Sequence, residues 1–170
     1  MIKYHLVDSQ KILPMIKIRF TLLLFIFCTS IYAQEDTLIS RLENIAIIEQ
    51  KIMMPMRDGK RLATDMYRPK TNQPVPVIFV KTPYNFNAWQ DGKLNNRIYR
   101  NAYEMVSKGF AYVIQNERGR YFSEGVWDIL GTPKTDGYDA FSWLAGQSWC
   151  NGNIGTYGCS STAEWQMAVA

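Results

Sequence analysis

Gly155-Thr156-Tyr157-Gly158-Cys159-Ser160-Ser161-Thr162-Ala163 is the stretch that decides the fold. Asn153 to Tyr157 in front of it reads as a short strand, and Ala163 to Ala170 behind it as a helix. Strand, Gly-x-Ser turn and helix make the setting of a nucleophile elbow, a turn so tight that small residues must flank the serine. Gly158 and Ala163 supply that smallness on the two sides of Ser160. A serine hydroxyl is a weak nucleophile until a base takes its proton, so Ser160 needs a histidine held by a carboxylate. Around such an elbow the acid and the histidine follow the serine in the chain. The single histidine is His5, far ahead of Ser160. The expectation is therefore the front part of a serine hydrolase, with the triad acid and base beyond residue 170.

Working back from the elbow, the pattern alternates. Asn44 to Met54 suits a first strand, and Asp58-Gly59 is a hairpin signal that returns the chain as a second strand over Leu62 to Arg68. Val75 to Lys81 is a continuous apolar run, as expected of a strand buried on both faces. Asn95 to Lys108 reads as a helix closed by Gly109, and Phe110 to Gln115 as the next strand. Thr135 to Gly146 reads as a helix with Thr135 as its N-cap. Trp149 to Asn153 is expected to be a turn into the elbow strand. A hairpin followed by alternating strands and helices argues an α/β fold with a mainly parallel sheet. The specific expectation is the N-terminal part of an α/β-hydrolase fold.

An elbow enzyme needs two donors where negative charge develops on the substrate oxygen. One is the backbone N–H after the nucleophile, here Ser161, and the other comes from the loop after the third strand. That loop is Thr82-Pro83-Tyr84-Asn85. By position alone, Tyr84 either aims its hydroxyl toward Ser160 or packs as an aromatic with an exposed tip. Phe86 and Trp89 nearby either line an acyl pocket or fill the loop. Arg118, Arg120 and Glu124 read as structural ion pairs or turn contacts rather than substrate contacts, and Trp143, Trp149 and Trp165 as core. Asp136 and Asp139 precede Ser160, against the order of a triad, and are expected to cap or solvate their helix.

Several separated motifs resemble the N-terminal half of the catalytic domain in the cocaine esterase and X-prolyl dipeptidyl peptidase group, which includes the α-amino acid ester hydrolases and related acylases. They are Met54-Pro55-Met56-Arg57-Asp58-Gly59-x-x-Leu62, Tyr67-Arg68-Pro69, Thr82-Pro83-Tyr84, Gln115-x-x-Arg118-Gly119, Ser123-Glu124-Gly125, Asp136-Gly137-Tyr138-Asp139, Trp149-Cys150-Asn151-Gly152 and Gly158-Cys159-Ser160, in that order. The resemblance implies that Ser160 is the nucleophile and that the Tyr84 hydroxyl completes the oxyanion hole with the Ser161 amide. It also implies a small-molecule ester, amide or peptide as substrate. Many relatives carry tyrosine where this chain has Ser161, but a backbone donor survives that change.

Bulk properties agree with one globular domain. The chain has 170 residues, 47% of them hydrophobic. Residues 1–33 hold four basic residues and one acidic one, so totals of 19 and 15 leave 15 basic and 14 acidic residues for 34–170. A body so close to neutrality argues against nucleic acid as a partner. The basic bias belongs to a leader: Met15 to Arg19 is a basic start, Phe20 to Cys28 an apolar core and Ala33 a cleavage position. The apolar run falls well short of the roughly 18 residues that would span a membrane. The expectation is a signal peptide over 1–33 with a superfluous 1–14, a lead-in over 34–44, a partial catalytic domain over 45–170, export to the periplasm or beyond, and no stable membrane anchor. Cys150 and Cys159 are expected to be two small buried thiols rather than a disulfide. No metal-ligand spacing and no Gly-x-Gly-x-x-Gly fingerprint occur, so no cofactor is expected. The competing expectation is a non-catalytic fragment or interaction module on the same scaffold.

Overall fold

Two apolar strands form the centre of the molecule. Val77 and Phe79 are fully buried, and all six residues from Ala111 to Asn116 are buried. A strand without a solvent-facing side belongs in the middle of a sheet covered on both faces. In the computed structural model, which describes residues 37–87, 89–90, 93–94, 96–128 and 134–169, both lie there. The expected leader, with His5 and Cys28, lies outside the described residues.

The elements run α1 (Leu38–Ile45), β1 (Ala46–Pro55), β2 (Arg61–Pro69), β3 (Val75–Thr82), the two-residue strands β4 (Trp89–Gln90) and β5 (Lys93–Leu94), α2 (Asn96–Ser107), β6 (Ala111–Asn116), α3 (Lys134–Ala145), β7 (Cys150–Thr156) and α4 (Ser161–Val169). The main sheet has the order β1-β2-β6-β3-β7. β1 pairs antiparallel with β2, and β2 with β6, while β3 is parallel to both β6 and β7. Antiparallel pairing through the hairpin and parallel pairing through the helical crossovers is what the connection lengths demand. The C-terminal ends of β3, β6 and β7 therefore lie at one end of the sheet.

Each face carries its own core. On one, Phe79 packs against Phe141 of α3 and Trp165 of α4, with ring centroids 5.9 and 5.4 Å apart. On the other, Tyr67 and Tyr112 meet Ile98, Tyr99, Ala102 and Val106, the buried stripe of α2. Truncating a side chain as buried as Phe79 costs about 3–5 kcal/mol.

Three sequence expectations change. The lead-in is helical past its expected end: Thr37 caps α1 by accepting from the Ser40 amide, and β1 starts at Ala46 rather than Asn44. The expected turn over Trp149 to Asn153 is mostly strand, because β7 starts at Cys150. Gly152, at φ 86°, instead marks the irregularity where the β3–β7 register shifts. Thr135 is no N-cap, since α3 begins one residue earlier.

Candidate active site

β7 ends at Thr156 and α4 starts at Ser161, so the chain reverses within residues 157–160. Ser160 sits at the tip, exposed, with φ 51°. A left-handed backbone costs an L-residue about 1–2 kcal/mol and persists only where its surroundings over-determine it. Here the Thr162 amide donates to the Cys159 carbonyl at 3.2 Å and the Ala163 amide to the Ser160 carbonyl at 2.7 Å, locking the turn onto α4. A Cβ at Gly158 would stand 2.6 Å from the Thr162 carbonyl oxygen, which explains glycine at that position. Ser161 opens α4, and the N–H at a first helical position has no acceptor within its own helix. The positive end of the helix dipole adds to its pull on an anion.

Tyr84 lies two residues past β3, at the same end of the sheet as the elbow, and is 52% exposed. Its loop approaches the elbow helix: the hydroxyls of Thr82 and Thr162 are 3.5 Å apart. A cleft of about 180 Å³ lies between them, with Tyr84, Phe86, Asn101, Tyr157, Cys159 and Thr162 in its walls. Neither Ser160 nor Ser161 lines it. Phe86 is 2% exposed. The side chain of Trp89 lies outside the described residues.

Beneath this end of the sheet runs a layer of buried charge. Lys81 is fully buried, donates to Gln115 Oε1 at 3.0 Å and stands 3.9 Å from Asp136 Oδ2. Gln115 in turn donates to Thr64 Oγ1 at 3.0 Å. Burial pulls the Lys81 ammonium down to about 8, with Asp136 the largest opposing influence. Arg118 grips Asp136 with Nε and Nη2, at 3.1 and 2.7 Å, and reaches Asp58 with Nη1 at 2.8 Å. The bonds to Asp136 do most to hold its guanidinium above the usual range. Glu117 is 5% exposed, and desolvation raises its carboxyl against the opposing hydrogen bond from Trp127 Nε1.

The expectation that Asp136 and Asp139 cap or solvate their helix is therefore corrected. Asp136 is fully buried and paired with Arg118, and Asp139 accepts from Arg57 Nε and Nη2 at 2.8 and 2.7 Å. Both carboxylates tie α3 to other parts of the chain, a cross-chain job that neighbouring residues do not reveal. Arg118 and Glu124 take the structural reading, Glu124 accepting from Arg61 Nη2 at 2.6 Å. Trp165 is buried and Trp143 and Trp149 pack against the core. Cys150 is buried, but Cys159 is exposed at the elbow rather than packed beneath it. Arg120 likewise takes the structural reading, donating from Nε to the Pro83 carbonyl at 2.9 Å, whereas sequence reasoning missed Asn116, which donates to the Tyr84 carbonyl and whose only trace was its place inside the Gln115-x-x-Arg118-Gly119 motif. Among the described residues no group of three His, Cys, Asp or Glu side chains is placed to hold a metal ion, and no helix is long and apolar enough to cross a membrane.

Strand order, pairing and the strand-turn-helix elbow are those of an α/β-hydrolase fold. Residues 58–170 match the X-Pro dipeptidyl-peptidase (S15) family, and the chain belongs to that family. It is 41% identical over 128 residues to the cocaine esterase of Rhodococcus sp. (strain MB1 Bresler), covering 72% of this chain and 21% of the esterase. A CocE/NonD family hydrolase from Staphylococcus aureus superposes with a TM-score of 0.62 at 27% identity, over 73% of this chain and 25% of that one. An α-amino acid ester hydrolase gives 0.58 at 26% identity, over 72% and 22% of the two chains. The chain thus spans about a fifth to a quarter of these relatives' length.

Proposed function

We propose that this chain carries the nucleophile and oxyanion hole of an exported serine hydrolase that cleaves esters or amides, X-prolyl peptides among them. The observation that carries the reading is Ser160: an exposed serine held at φ 51° between β7 and α4, with no room for a side chain at Gly158. Strain of this kind concentrates where chemistry needs an atom presented.

Ser160 Oγ attacks the substrate carbonyl carbon and gives up its proton to a base. The carbonyl oxygen becomes an oxyanion, met by the Ser161 N–H and the Tyr84 hydroxyl. Collapse expels the alcohol or amine, which takes the proton back, and leaves an acyl group on Ser160. Water then adds with the same base and releases the acid. Residues 37–170 contain no histidine, and this reading places the base outside them. Ester cleavage is favoured by the names of the esterase relatives, and peptide cleavage by the name of the family. The leader expected over 1–33 is what favours export.

The second reading is a non-catalytic module on this scaffold. Two measurements separate them. In the polypeptide extended past residue 170, Ser160→Ala is expected to abolish turnover of p-nitrophenyl acetate. Residues 34–170 alone are expected to give no serine-dependent turnover. Equal rates for the extended protein and its Ser160→Ala variant remove Ser160 as nucleophile.

A further inference from the structure

Three consecutive carbonyls of the Tyr84 loop are held by donors from one neighbouring segment. The Thr82 carbonyl accepts from the Glu117 amide at 3.0 Å. The Pro83 carbonyl accepts from Arg120 Nε at 2.9 Å. The Tyr84 carbonyl accepts from Asn116 Nδ2 at 3.0 Å. The loop also closes on itself, the Tyr84 amide donating to Thr82 Oγ1 at 3.2 Å.

The donors are themselves fixed. Asn116 is the last residue of β6 and fully buried, and its own carbonyl accepts from Ser123 Oγ at 2.9 Å. Ser123 Oγ in turn accepts from the Ala63 amide of β2 at 2.9 Å. Arg120 lies over the Trp127 ring, 4.6 Å from its centroid, and Trp127 is bonded to Glu117. Gly119, at φ 69°, turns the chain so that Arg118 and Arg120 leave in different directions. Arg118 runs to the buried Asp136, and Arg120 to the Pro83 carbonyl.

Thr82 and Pro83 are buried and the bonds from Asn116 and Arg120 are at least partly so, so these donors satisfy backbone carbonyls that water reaches poorly. The same bonds give a fixed frame for Tyr84, whose ring is otherwise half in solvent. A donor stabilises developing charge well only when it need not reorganise as the charge appears, and a site is effective when held to within about 0.5 Å. We infer that Asn116 and Arg120 are positioning residues that act on the reaction through the Tyr84 hydroxyl, an inference that rests on the reading of Tyr84 as an oxyanion donor.

The test is a double-mutant cycle in the intact enzyme with p-nitrophenyl acetate. Arg120→Met removes the donor to Pro83 while keeping an unbranched stem over Trp127, and Asn116→Leu removes the donor to Tyr84 without adding a buried charge. Each is expected to lower kcat about tenfold with KM within twofold, and Arg120→Lys is expected to recover part of the loss. In a Tyr84→Phe background the same changes are expected to lower kcat by less than twofold, because the group they position is gone. A merely structural role predicts the same loss in both backgrounds. Additive losses overturn the inference and leave Tyr84 standing. If Tyr84→Phe alone leaves kcat unchanged, the oxyanion reading fails first and the positioning role falls with it.

Discussion

Replacing Lys81 by methionine tests the buried charge layer, and its effect is set by pH. The ammonium is fully buried and titrates at about 8, against 10.5 for an ordinary lysine. Below pH 8 both folded and unfolded chains hold this proton, and the folded state carries the cost of a desolvated charge. Between about 8 and 10.5 the unfolded chain keeps the proton while the folded one releases it, so stability rises with pH across that window. A shift of roughly 2.5 units corresponds to about 3.4 kcal/mol at full amplitude, and integration to pH 9.5 captures about 2 kcal/mol of it. Burial pushes the hydroxyls of Tyr67 and Tyr112 up. They therefore lose stability above about pH 10, where unfolded tyrosines ionise, and the comparison is best kept below that. Near pH 7 the variant loses the desolvated charge but leaves Gln115 Oε1 without its donor, a penalty of about 1–3 kcal/mol of opposite sign. Asp136 keeps both bonds from Arg118. The assay is urea unfolding of the intact protein and Lys81→Met, followed by tryptophan fluorescence, at steps from about pH 7 to about pH 9.5. The stability difference between them is expected to move by about 2 kcal/mol in favour of the lysine as pH rises. Parallel pH curves would refute the reasoning, because they would mean that Lys81 titrates like an exposed lysine.

Tyr84→Phe is expected to lower kcat of the intact enzyme by about 10²–10³-fold with little change in KM, since a donor aimed at developing charge helps the transition state most; kcat within a factor of two would make Tyr84 a packing residue. Gly158→Ala places a Cβ 2.6 Å from a backbone oxygen, and is expected to cost about 1–3 kcal/mol of stability and most of the Ser160-dependent turnover. Chemical denaturation and an ester assay check it, and an unchanged variant would show that the elbow yields freely. Cys150 opens β7 and Cys159 lies three residues past its end, and each strand residue extends the chain by about 3.3 Å, so both thiols are expected free. Alkylation without reductant followed by mass spectrometry decides this, a linked peptide pair being the contrary result.

The elbow was legible because its physics is local. Gly158, Ser160 and the helix start lie within four residues, and the tightness of the turn dictates small neighbours wherever it occurs. The sheet centre was legible for a related reason: Val75 to Lys81 and Phe110 to Gln115 are apolar enough that only burial on both faces suits them. The charges were not legible, because their partners are chosen by the fold. Arg118 finds Asp136 18 residues away and Asp58 60 residues away, and Arg120 finds Pro83 at a separation of 37. Without those partners, Asp136 looks like an ordinary helix-start carboxylate, and Lys81 like a solvated strand end.

The two arginines around Gly119 show how this charge layer bears on the site. Arg118 faces inward and binds α3 to the β1–β2 turn through Asp136 and Asp58, while Arg120 faces the Tyr84 loop. Because one φ-positive glycine separates them, the inward anchor fixes where the outward one begins. The buried layer and the Tyr84 loop are thereby mechanically continuous. Weakening the Arg118–Asp136 pair should disturb catalysis as well as stability, and should do so through the Tyr84 loop and not through Ser160, whose turn is locked by its own bonds to α4.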